Sequence, residues 1–112
     1  MTISTHVLDT SIGRPAASLA VELQRQDGAS WIDVSHASTT SDGRVTALLP
    51  PGAVATPGAY RLSFDAGAYF ESRGVESFYR IIVVDFIAAD AASHYHVPLL
   101  LSPFGYSTYR GT

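Results

Sequence analysis

Apolar residues in this 112-residue chain recur at every second position in short runs, and each run ends in turn chemistry. Leu19-Ala20-Val21-Glu22-Leu23-Gln24-Arg25 is the cleanest case, with its large apolar residues at odd positions. Side chains of a strand point alternately to its two faces, so this period reads as a strand with one buried face. Further strands are read at Thr2–Leu8, Trp31–Ser38, Arg44–Leu48, Ala59–Asp65, His94–Leu101 and Tyr106–Arg110, and at Tyr79–Ala88, which is strongly apolar and β-branched. Turns at Gln26–Ser30, Ser41–Gly43, Ala89–Ala92 and Ser102–Gly105 separate them, with loops at Asp9–Pro15 and Pro50–Gly58. Ala66–Arg73 is the one stretch that suits a helix, with Asp65 as its N-cap and Gly74 just past its end. About eight short strands at regular spacing predict an all-β, antiparallel β-sandwich with one short helix. No internal repeat or low-complexity segment interrupts the pattern.

A chain of this length is expected to form a single domain over residues 1–112, with a core that needs no staples. There is no cysteine, which excludes a disulfide framework and a thiolate metal site. Net charge is -3 and no basic cluster is present, which argues against nucleic acid as a partner. No apolar run approaches membrane-spanning length, and Met1–His6 lacks the basic and apolar regions of a signal peptide. The expected setting is therefore cytoplasmic, away from the membrane.

The densest concentration of reactive side chains is the C-terminal run from His94 to Thr112. His94 and His96, two residues apart on a strand, share one face. His-Tyr-His-Val-Pro-Leu-Leu-Leu-Ser-Pro (94–103) followed by Tyr-Ser-Thr-Tyr-Arg-Gly (106–111) closely resembles the C-terminal signature of the 5-hydroxyisourate hydrolases, transthyretin-related enzymes of purine catabolism. Ser4-Thr5-His6-Val7-Leu8-Asp9 and Thr40-Ser41-Asp42-Gly43-Arg44 extend the resemblance to the rest of the chain. One departure is visible: the family usually ends in Arg-Gly-Ser, and this chain ends in Arg110-Gly111-Thr112.

The resemblance implies a transthyretin-like sandwich of two four-stranded sheets and a homotetramer, a dimer of dimers, with an active cleft between stacked dimers. It implies hydrolysis of 5-hydroxyisourate to 2-oxo-4-hydroxy-4-carboxy-5-ureidoimidazoline, without a cofactor or metal. It assigns catalysis to His6, His96 and Arg44, and substrate binding to His6, Arg44, Tyr109, Arg110 and Thr112. The chemistry is coherent with those residue types. A neutral imidazole can take a proton from water as it attacks a ring carbonyl. Arginine offers a planar fork of donors to an oxygen-rich ring and to the oxyanion that develops. Which histidine acts as base stays open, as does the role of His94.

Each of these residues also has a plainer reading. His36 belongs to no matched motif and is expected to be an ordinary surface histidine. His6 alone would pass for a solvent-facing strand residue, and Arg44 for a solvated arginine. His94, His96 and His6 could be drawn as a zinc site, and a transthyretin-like small-molecule carrier without catalysis is the rival function. A bare interaction domain is the third.

Overall fold

Two sheets face each other across an apolar core in the computed structural model, which describes residues 1–53 and 55–112; Val54, within the expected Pro50–Gly58 loop, lies outside that description. In chain order the elements are β1 (Thr2–Asp9), β2 (Arg14–Pro15), β3 (Ala20–Asp27), β4 (Ser30–Ser38), β5 (Arg44–Val45), β6 (Gly58–Asp65), α1 (Ala66–Glu71), β7 (Ile81–Ala88), β8 (His94–Ser102) and β9 (Gly105–Thr108). One sheet runs β4-β3-β6-β7, four long strands paired antiparallel. The other runs β2-β1-β8-β9, with β5 also paired to β1. Its short members β2 and β5 have two residues each. The expected strand Arg44–Leu48 is regular only at Arg44–Val45. Beyond it, Leu48 N–H donates to Ile3 O at 3.0 Å, one residue out of the register set by Thr5 opposite Val45.

The period-two pattern decides what is inside. Ile3, Thr5 and Val7 of β1, Val21 and Leu23 of β3, Leu62 and Phe64 of β6, and Val97, Leu99 and Leu101 of β8 are buried. Each fully buried large apolar side chain contributes about 1.5–3 kcal/mol. Residues of opposite parity on β1 and β8 face away from the core. Ser4 and His6 are therefore on the outer face with His94 and His96.

β1 and β8 are the exception to antiparallel pairing. They run parallel over eight residue pairs, from Thr2 opposite His94 to Asp9 opposite Leu101. A parallel pair cannot be closed by a tight hairpin, and here nearly the whole chain lies between the two strands. The helix fixes the far end of β1. Asp65 caps α1 by accepting from Ala68 N–H at 3.1 Å. Tyr69 on that helix donates its hydroxyl to the buried Asp9 carboxylate at 2.9 Å. Burial, then the Asp9 contact, pushes the Tyr69 phenol up to about 12.

Candidate active site

The parallel register of β1 and β8 builds the site. It sets Ser4 opposite His96 and Thr2 opposite His94, all on the outer face. Antiparallel β5 then sets Arg44 opposite His6 on the other flank of β1. A cleft of about 230 Å³ results, lined by Ser4, Thr5, Arg44, Thr46, His94, His96 and Thr112.

Two turns hold the flanks. Gly43, at φ +76°, directly precedes β5, where a Cβ would lie 2.4 Å from Val7 O, so only glycine fits the close approach to β1. Its carbonyl accepts from Val7 N–H at 2.8 Å. That contact fixes Arg44 beside His6, whose Nε2 lies 2.9 Å from Asp42 O. A carbonyl only accepts, so neutral His6 carries its proton on Nε2 and keeps a lone pair on Nδ1. On the other side, Gly111 N–H donates to His96 O at 2.8 Å. A Cβ on Gly111 would meet His96 Cδ2 at 2.5 Å, so the tail lies directly against the imidazole.

The site is electrostatically one-sided. Burial, the Arg44 guanidinium and the neighbouring imidazoles of His94 and His6 hold the His96 imidazole below its ordinary value, partly opposed by the backbone of Ser4. A half-buried imidazole beside a cation is neutral at pH 7, which is what a general base requires. Among the described residues no carboxylate pairs with Arg44 within 4 Å. Its guanidinium is left to an anionic or carbonyl-rich ligand.

Of the residues singled out in the sequence, Arg44, His96 and Thr112 line this cleft, and His6 borders it. Tyr109 and Arg110 do not enter it. They line a separate groove of about 270 Å³ with Val84, Phe86, Tyr95 and Val97. Arg110 Cζ lies 4.8 Å from the centroid of the Tyr95 ring, a cation–π contact. The Gly111 bridge to β8 explains the split, because residues on either side of it diverge and Arg110 and Thr112 reach different surfaces. Ser4, Thr5, Thr46 and His94 line the cleft without a role in the sequence reading. For Ser4 the signal was available, since it shares parity with His6.

Metal-ligating side chains gather elsewhere. Among the described residues, Glu22, Asp33 and His36 form a set whose ligand atoms lie within 4.8 Å of one another. His6, His94 and His96 do not form one. No helix among the described residues is long and apolar enough to cross a membrane.

Known proteins match over the full length. The family described as HIUase/Transthyretin family matches residues 3–111. The chain is 50% identical to 5-hydroxyisourate hydrolase 2 of Rhizobium meliloti (strain 1021), covering 98% of this chain and 95% of that protein. Among solved structures it is similar to Klebsiella pneumoniae 5-hydroxyisourate hydrolase, with TM-score 0.87, 34% identity and complete coverage of both chains. It is also similar to the transthyretin of Sparus aurata, with TM-score 0.91, 29% identity and coverage of 98% and 96%. Backbone likeness is thus shared between an enzyme and a transthyretin, and the side chains of the cleft must tell them apart. A two-sheet sandwich, the matched model and the full-length identity together place the chain in the HIUase/transthyretin family.

Proposed function

We propose that the protein hydrolyses 5-hydroxyisourate to 2-oxo-4-hydroxy-4-carboxy-5-ureidoimidazoline in urate degradation. One observation carries the reading: a neutral, half-buried His96 sits in the same cleft as an Arg44 with no carboxylate partner. In the proposed mechanism His96 takes a proton from water as the oxygen attacks the ring carbonyl. Arg44 receives the carbonyl oxygen as it becomes an oxyanion. The ring C–N bond then breaks, and the imidazolium returns its proton to the leaving nitrogen. His6, with Nδ1 open, helps orient the water, and Thr112 offers a hydroxyl to substrate. Tyr109 and Arg110 lie outside this cleft of their own protomer. No metal or cofactor enters the scheme.

The proposal includes a cytoplasmic homotetramer, a dimer of dimers. β7 and β9 are the edge strands of their sheets, and Val83, Ile87 and Tyr106 are exposed along them. Neither edge strand has a lysine or proline to blunt it. Pairing copies edge to edge would form closed two-fold assemblies.

The test is the absorbance decay of freshly generated 5-hydroxyisourate with and without protein. Faster decay at catalytic protein concentration supports hydrolysis. Saturable binding without faster decay would select the carrier that the likeness to transthyretin also allows.

A further inference from the structure

Four side chains on the outer face of the β1–β8 sheet make one hydrogen-bonded line. Thr2 Oγ1 contacts His94 Nδ1. Ser4 Oγ lies 3.2 Å from His94 Nε2 and 2.7 Å from His96 Nδ1. The two rings are nearly parallel, at 12° with centroids 6.3 Å apart, and the serine hydroxyl bridges them. Ser4 is buried and His96 half-buried, while His94 and Thr2 at the other end of the line are exposed.

A hydroxyl carries one hydrogen, so Ser4 can donate to only one of the two imidazoles. If it donates to His94 Nε2, it must accept from His96 Nδ1–H, and the lone pair of His96 then sits on Nε2. If His94 is protonated, its Nε2–H donates to Ser4. Ser4 is buried and its hydroxyl has no other partner among the described residues, so its own hydrogen stays bonded only by donation to His96 Nδ1, which places the His96 proton on Nε2 and removes the base from that atom. Nε2 is the only His96 nitrogen without a hydrogen-bond partner among the described residues, and so the one free to meet water.

We propose that His94 sets the tautomer of His96 through the single hydroxyl hydrogen of Ser4, so that protonation of His94 turns the base off. Ser4 and His94 are thus positioning residues, and the inference rests on the reading of His96 as the base. Other charged or titratable groups face the pair from neighbouring elements: Arg44 on β5 and His6 on β1. None of them contacts the Ser4 hydroxyl, so the coupling is specific to the line itself.

The experiment is the acid limb of log kcat/KM against pH, with nitrogen-15 shifts of His96 as a readout independent of turnover. In the wild-type protein two protonations each switch the site off, so the limb reaches a slope of about two at low pH. His94→Gln and Ser4→Ala should reduce that slope to about one. Ser4→Ala should also lower kcat about tenfold with KM held, short of the roughly hundredfold of a direct acid–base group. Ser4→Thr keeps the hydroxyl and should restore both slope and kcat. The nitrogen-15 shifts should show neutral His96 protonated on Nδ1 in the wild type. A wild-type slope of one, unchanged in both variants, would overturn the proposal, as would a neutral His96 protonated on Nε2. Full turnover in His96→Asn would instead refute the base assignment beneath it.

Discussion

Two outer faces of this sandwich carry histidines, and they differ in what surrounds the imidazole. On the β1–β8 face, His96 is half-buried between Arg44, His94 and His6, all of which oppose a positive charge on it. On the β3–β4 face, His36 is exposed, and its Nε2 stands 4.0 Å from a Glu22 carboxylate oxygen. Asp33 joins that face because Val34 is bulged out of the ladder between Ser35 and Asp33, which shifts parity by one. The cleft beside His36 is also the larger, about 430 Å³ against about 230 Å³. Size is therefore a poor guide here. The charge of the neighbours separates a histidine held below its ordinary value from one that faces acids.

The strongest way to break the comparison is to remove the base. His96→Asn should lower kcat by roughly a hundredfold or more, the scale of a general base, measured by substrate decay at saturation. Arg44→Gln should cost about a hundredfold as well, as the loss of an oxyanion donor does. It should also move the acid limb of the pH–rate profile upward. The sign follows from the charge: activity is lost as pH falls through the His96 value, which Arg44 holds down, so removing the cation raises it. Gly111→Ala tests the tail more gently. Its Cβ would displace the His96 ring, and an ångström of misplacement can cost up to about a hundredfold. We expect about a tenfold loss with the melting temperature nearly unchanged. The smallest effect belongs to the other face, where His36→Asn should stay within about twofold, the scale of an ordinary surface change. If His36→Asn were as damaging as His96→Asn, the contrast between the faces would collapse.

Much of this arrangement is legible in the sequence, and the limits have physical causes. Alternation in Leu19–Arg25 and His94–Leu101 identifies which residues face in. Asp65 and the Gly74 that follows mark the helix, although its regular part ends at Glu71. Period-two reasoning assigns faces but not neighbours. It therefore places Ser4 with His6 and gives no sign that Ser4 sits between His94 and His96, which depends on a parallel pairing across almost the full chain. Bulges are equally invisible, and the one at Val34 is what turns Asp33 toward His36. The tail shows the same limit. The signature groups Tyr109, Arg110 and Thr112, while the bridge at Gly111 sends them to different surfaces.

The central claim is that the surroundings of His96 keep it neutral for use as a base. The direct measurement is an NMR titration of the His96 imidazole in the wild type and in Arg44→Gln. The account predicts a wild-type midpoint below the ordinary imidazole value of 6.5, and an upward move when the guanidinium is removed. A wild-type midpoint at or above that value, or one that does not respond to Arg44→Gln, would contradict it.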